Sequence, residues 1–385
     1  MIPYGRQDIA VEDITAVVEV MGSDWLTQGP KGPEFEKSVA RHCGARYAVA
    51  VNSATSALHL ACLALEVGPG DVVWTTPITF VASANCALYC GAGVDFVDID
   101  LQTGNLGPDT FAAKLAHAEK AGALPKVVIP VHLCGQSCEM KVIHELSRRY
   151  GFHLIEDASH AIGGRYRDMP IGCCRYSDIT VFSFHPVKII TTGEGGMALT
   201  NDAELAARMT RLRSHGIIRD PAEMEKEPDG PWYYEQVELG YNYRMSDLQA
   251  ALGISQMDRL CQFVERRQTL ARRYDRLLAG LPVQPLWQHP DCQSSRHLYV
   301  IRLRLDDMEV THREVFTALR EHGIGVQLHY IPLYRQPYFQ RMGFAREQYP
   351  QAEQYYAEAI SLPLFPALTE DEQDKVVDTL HRVVS

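Results

Sequence analysis

Short apolar runs recur along the chain, separated by stretches in which apolar residues return every three or four positions. Residues 47–52 (YAVAVN), 71–76 (DVVWTT), 93–99 (GVDFVDI), 126–133 (KVVIPVHL), 153–157 (HLIED) and 178–184 (DITVFSF) are short and rich in β-branched or aromatic side chains, as strands are. Residues 53–65 (SATSALHLACLAL) follow the first run as a helix opened by Ser/Thr capping, and residues 140–151 (MKVIHELSRRYG) form another. A helix over residues 202–213 with Asp202 as its cap and a long helical stretch from Ser246 continue the series, with the polar segment 217–234 between them expected as an irregular, mobile loop. Strand and helix alternating in this way predict an α/β fold: a mostly parallel sheet covered by helices. The strand-like segment HLYVIRLRL, the helix THREVFTALREHG and a last helix after Thr369 predict a smaller α+β unit, dividing the chain into a large domain over 1–245 and a C-terminal domain over 246–385.

Composition narrows the function. With 385 residues, 46% of them hydrophobic, the chain can bury a large core, and a formal net charge of -11 argues against a nucleic-acid or anionic-membrane partner. There is no apolar stretch long enough to span a bilayer, and MIPYGRQDIAVED lacks the basic start and apolar run of a secretory leader, so the cytoplasm is the expected location. Cys134 and Cys138 are too far apart for CxxC, Cys173 and Cys174 are adjacent, and the histidines show no HExxH spacing. Reduced, mostly buried thiols and no metal site are expected. GEGGMA (193–198) matches a dinucleotide fingerprint only formally, because it leads into a strand-like run instead of a helix. Its glycines are better explained by a tight turn that brings backbone close to a ligand.

Ligands of parallel sheets bind beyond the carboxyl ends of the strands. Four polar features fall there: the helix start at Ser53, Ala54 and Thr55; Thr79 and Phe80; Glu156 and Asp157; and Ser183 with Lys188 just beyond. Each taken singly has an ordinary structural explanation. Together they supply an anion site, an aromatic plate, a carboxylate and an amine, which are the needs of pyridoxal 5'-phosphate. Lys188 would bind its aldehyde, Asp157 would keep the pyridine nitrogen protonated, and Phe80 would stack on the ring.

NSATSALHLA, TTPITFVASANC, IEDASHAIG, SFHPVKIITTGEGG, RSHG and GYNYRMSDLQAALG stand in the order and spacing of the DegT/DnrJ/EryC1/StrS family of sugar aminotransferases, which the chain resembles over nearly its whole length. The resemblance implies a fold-type I pyridoxal-phosphate enzyme with Lys188 as the Schiff-base lysine, Asp157 at the pyridine nitrogen, Phe80 at the stacking position and Ser183, Ala54 and Thr55 at the phosphate. It places His160 where many members carry glutamine near the cofactor's phenolic oxygen. Asn242 matches an asparagine that reaches the cofactor of a neighbouring subunit, implying a homodimer with shared sites. Within the family, IPYGRQ, SDWLTQGP, EDASHA, SFHPVK and VQLHYIPLYRQPYFQ resemble the aminotransferases of pseudaminic acid biosynthesis. That likeness implies a nucleotide-sugar pocket lined by Tyr4, Asp24, Trp25, Leu26, Thr27, His329, Tyr330, Ile331 and Pro332, with Ala54, Ser183 and Asn242 also in reach. The implied substrates are a UDP-linked 4-keto-6-deoxy-N-acetyl hexose and glutamate. HPVK and the acidic EKEPD depart from the subgroup's pattern. Another keto nucleotide sugar, a cofactor-dependent sugar dehydratase and a regulator without turnover stay open, although such dehydratases carry histidine where this chain has Lys188.

Overall fold

The apolar runs become seven strands of one sheet in the structure, a computed structural model that describes residues 1–384. They are β1 (Tyr47–Val51), β2 (Val72–Thr75), β3 (Gly93–Phe96), β4 (Val127–Ile129), β5 (His153–Asp157), β6 (Ile179–Ser183) and β7 (Gly196–Thr200). Their spatial order is β1-β7-β6-β5-β4-β2-β3. Every pairing from β3 across to β6 is parallel, and β7 runs antiparallel to both β1 and β6. The fold is therefore the anticipated α/β arrangement.

Residue parity along the strands sorts side chains into two layers, as a pleated backbone requires. Val49, Val73, Val127, Ile129, Ile155 and Val181 face one side and pack under α3 (Ala54–Ala64), α4 (Ala82–Tyr89) and α7 (Ala203–Leu212). Trp74, Val128 and Leu154 face the other, against Phe111 and Leu115 of α5 (Pro108–Ala121) and Met140 and Ile143 of α6 (Met140–Tyr150). Asp157 shares the parity of Ile155, and Glu156 that of Leu154. Adjacent carboxylates thus leave the sheet on opposite faces.

Sequence-level punctuation explains the helix starts. Ser53 accepts the Ser56 N–H at the start of α3, and Asp202 accepts two N–H groups at the start of α7. The stretch from Ser246 is two helices, Asp247–Asp258 and Leu260–Leu277, because Arg259 leaves helical geometry between them while its guanidinium is held by Asp8 and Asp13. The first of these helices packs on the N-terminal helices α1 (Val11–Met21) and α2 (Lys31–Cys43). Segment 217–234 is a loop, closed at its base by a ribbon pairing Ile217–Ile218 with Glu235–Gln236. All ten cysteines are free, and Cys261 is exposed. Among the described residues, no helix is long and apolar enough to cross a membrane.

Beyond the large sheet, Val283–Pro285, Tyr299–Leu303 and Ala359–Leu362 form a three-stranded antiparallel sheet. Its core takes in helices His312–Glu321 and Glu370–Val384, and also Ile2, whose backbone pairs with the segment around Ile324. Anchoring the N-terminus there carries Tyr4 to the ring of His329, 5.2 Å away.

Candidate active site

A cavity of about 830 Å³ opens at the carboxyl ends of β1, β5 and β6, where the chain leaves each strand for a helix or turn. Its floor comes from the large sheet. Val51 leads through Asn52 and Ser53 into α3, whose first-turn N–H groups at Ala54 and Thr55 have no intrahelical acceptor and sit at the positive end of the helix dipole. Asn52 braces this turn by accepting the Ser56 hydroxyl at 2.6 Å. The approach is possible because residue 196 is glycine: a Cβ there would lie 2.5 Å from the Ala54 nitrogen. Since Gly196 pairs with Ser183 across β6 and β7, the helix start and the Ser183 hydroxyl arrive together.

Asp157 ends β5, 5% exposed, and is tightly held. Its Oδ2 accepts from Ser83 Oγ at 2.6 Å, and its Oδ1 accepts the Ser159 N–H at 3.1 Å and the Ser159 hydroxyl at 2.6 Å. Thr79 in turn meets Ser83 at 2.8 Å. Phe80, between Thr79 and α4, turns its ring toward the open space and is 58% exposed.

Lys188 reaches the cavity from the turn after β6. Burial pulls its ammonium down to about 8, while the Asp157 carboxylate opposes that shift. Near neutrality its Nζ can therefore gain or lose a proton.

The wall above is made by His329 and Tyr330 of the C-terminal unit together with Tyr4 and His160. Cys134 N–H donates to His160 Nδ1 at 3.3 Å, so Nε2 carries the proton and donates to Tyr330 Oη at 3.1 Å. The Tyr330 hydroxyl hydrogen is left free to point at a ligand. His329 is pinned by Ser361 at 2.8 Å. Burial, with Lys188 and His329 adding to it, drives His160 well below the usual histidine range, and burial with Lys188 drives His329 down to about 3. Both imidazoles stay neutral, and burial pushes the Tyr330 phenol up.

Tyr4, Ala54, Thr55, Phe80, Asp157, His160, Ser183, Lys188, His329 and Tyr330 thus meet around one space. Asp24, Trp25, Leu26 and Thr27 do not line it within this chain, nor do Asn242, Ile331 and Pro332. The first four are exposed, Asn242 is exposed beside Ser214, Ile331 points outward, and Pro332 is buried behind the wall. Sequence reasoning did not single out Ser83, Ser159, His185, Glu194 or Gln249. Ser83 carried a signal, since it stands one helical turn after Thr79, but Gln249 is brought in only by its amide's bond to the Glu194 carbonyl at 2.8 Å.

The residues fit pyridoxal phosphate. The glycine-cleared helix start suits the phosphate, Asp157 suits a protonated ring nitrogen, and Lys188 suits the aldehyde.

Comparison with known proteins agrees. The model of the DegT/DnrJ/EryC1/StrS aminotransferase family matches residues 7–381. The Bacillus subtilis spore coat polysaccharide biosynthesis protein SpsC is 40% identical over all of this chain and 97% of its own length. Helicobacter pylori PseC, an aminotransferase involved in pseudaminic acid biosynthesis, is 31% identical, with a TM-score of 0.89 over 100% of this chain and 99% of that one. The putative sugar aminotransferase Spr1654 of Streptococcus pneumoniae, in its PMP form, is likewise 31% identical with a TM-score of 0.89, covering 100% and 99% of the two chains. This chain belongs to the DegT/DnrJ/EryC1/StrS aminotransferase family and is a sugar aminotransferase whose cofactor is pyridoxal phosphate.

Proposed function

We propose that the enzyme transfers an amino group from glutamate to C4 of a UDP-linked 4-keto-6-deoxy-N-acetyl hexosamine, the reaction that would serve a pseudaminic-acid-type pathway. The observation that carries the reading is the convergence of Lys188, Asp157 and the α3 N-terminus on one cavity roofed by Tyr4, His329 and Tyr330. The likeness to PseC supports the choice of sugar.

In this reading Ala54, Thr55 and Ser183 hold the cofactor's phosphate, Phe80 covers the ring, Asp157 pairs with the ring nitrogen, and Lys188 tethers the aldehyde. Bound there, the cofactor supplies an electron sink for breaking a C–H bond and stores the amino group between half-reactions. Lys188 Nζ moves the protons, taking one from the donor's α-carbon in the first half-reaction and returning one to the sugar's C4 in the second. Asp157, fixed by its three hydrogen bonds, orients what it pairs with. The His160–Tyr330 pair presents a neutral hydroxyl to the substrate, and the apolar faces of Phe80 and Val187 exclude water.

A homodimer with shared sites is part of the proposal. No arginine lines the cavity among the described residues, yet glutamate and a nucleotide diphosphate both need cations. A separate hollow of about 750 Å³ is edged by Arg211, Arg213, Arg219 and Arg244, with Asn242 exposed nearby. A second copy bringing that face, Asn242 and the Trp25–Thr27 segment to the cavity mouth would complete it.

Incubating holoenzyme with glutamate and a panel of 4-keto nucleotide sugars, with mass spectrometry of the products, tests the substrate. Amination of the UDP-N-acetyl sugar ahead of the others is expected. Preference for a sugar lacking the N-acetyl group or carried by another nucleotide would overturn it.

A further inference from the structure

Behind the cavity floor, on the opposite face of the sheet from Asp157, lies a buried charged cluster that the reaction as described does not use. Its centre is Glu156, 6% exposed, the residue immediately before Asp157. Its Oε2 meets His132 Nε2 at 2.7 Å, and its Oε1 accepts from the hydroxyls of Ser177 and of Thr180, the latter at 3.1 Å. His132 is wholly buried. Its Nδ1 accepts the Cys138 N–H at 3.2 Å, so the ring proton sits on Nε2 and donates to Glu156. Each polar atom of the pair is thereby matched, and the hydrogen bonds from His132, Ser177 and Thr180 hold the Glu156 carboxyl below its usual range against the pull of burial.

The placement of these partners is what matters. Thr180 belongs to β6 and His132 lies just past the end of β4, beyond Pro130 and Val131, so one carboxylate of β5 clasps both neighbouring strands. The clasp sits at the strand ends that carry the chemistry. His132 N–H also donates to the Asp157 carbonyl at 3.0 Å, and Asp157 N–H donates to the Pro130 carbonyl at 3.0 Å. Three residues beyond Thr180 comes Ser183, and the Lys188 turn follows. A buried carboxylate held by hydrogen bonds is a poor source of net stability, because desolvation offsets most of the attraction, whereas it can fix a unique register. Small displacements of reacting groups cost large factors in rate.

We propose that His132 and Glu156 are positioning residues for amino transfer: their contact across the back of the sheet sets where Asp157 and the Lys188 turn stand relative to each other. The inference rests on the assignment of Asp157 and Lys188 to the cofactor. Apolar side chains of similar size would fill the same space without directing hydrogen bonds to β4 and β6.

The test compares holoenzyme carrying Glu156→Gln, His132→Phe, His132→Gln or Asp157→Asn with the wild type. Circular dichroism and thermal melting report folding, and kcat, KM for the keto sugar, and the pH midpoint of the cofactor's visible band report the site. Glu156→Gln and His132→Phe should lower kcat by about tenfold or more and shift the band's midpoint, with KM within about twofold. His132→Gln can still donate one N–H to Glu156 and accept the Cys138 N–H, so it should recover most of kcat and of the midpoint. Wild-type kcat and midpoint in Glu156→Gln and His132→Phe, with only the melting temperature lowered, would overturn the inference. Should His132→Phe not fold, the Glu156→Gln and His132→Gln pair decides. An Asp157→Asn enzyme of wild-type rate would overturn the cofactor assignment itself, a distinct outcome.

Discussion

The floor and the wall of the cavity are built by different physics. On the floor, buried polar groups are saturated: Asp157 takes three hydrogen bonds, Glu156 takes three, and the α3 start is braced by Asn52 and Ser53. On the wall, Tyr4, His329 and Tyr330 meet mainly through ring contacts, 5.0 to 5.2 Å between centroids, with His160 supplying a hydrogen bond. Strand register dictates the floor, so it can tolerate almost no change. Side-chain shape dictates the wall, so it can be altered to suit a different sugar while the chemistry beneath is kept.

The most drastic break of that contrast is on the floor. Lys188→Ala should lower turnover by about a thousandfold or more and abolish covalent tethering of the cofactor, read by product formation and by borohydride trapping, while circular dichroism stays native. Retention of wild-type turnover would show that the floor is not where the proton moves. Asp157→Asn keeps the shape and loses the charge, and a fall of about a hundredfold in both half-reactions is expected from single-turnover kinetics.

A pH profile sharpens the same contrast. Lys188, drawn down to about 8 by burial, must be neutral to accept a proton, so the rate of proton abstraction should climb with pH through a limb near 8 and level off above it. His160 and His329 lie well below that limb and Tyr330 above it, so the wall contributes nothing to it. A limb that survived unchanged in a Lys188 variant rescued with an exogenous amine of different basicity would contradict this.

The smallest effect should come from the wall. Tyr330→Phe removes the hydroxyl held by His160, and kcat/KM for the keto sugar should fall by about tenfold while the glutamate half-reaction changes by less than about twofold. Equal losses in both would mean that Tyr330 serves the floor.

How much of this could be read beforehand follows the same division. The helix start at Ser53, the carboxylate at Asp157 and the amine at Lys188 are legible because each sits at or just beyond the carboxyl end of a strand, where chain direction alone places it at the ligand end of the sheet. Tyr4 and the His329–Tyr330 pair were legible only through resemblance, since more than three hundred positions of chain separate them. The break at Arg259 escaped notice because Asp8 and Asp13, which hold its guanidinium, are remote in sequence. Ser83 and Gln249 escaped for a related reason: each matters through a single contact made across the fold.

The amino-acid sequence by itself determined the strand and helix rhythm, the order of the chemical groups along it and the alternation that sends Asp157 to one face and Glu156 to the other, because these depend on local periodicity and chain direction. Only the tertiary structure decided that Glu156 clasps both neighbouring strands, that burial brings Lys188 to about 8, and that the N-terminus delivers Tyr4 to the wall. Those outcomes depend on desolvation and on partners distant in the chain, which no local pattern encodes.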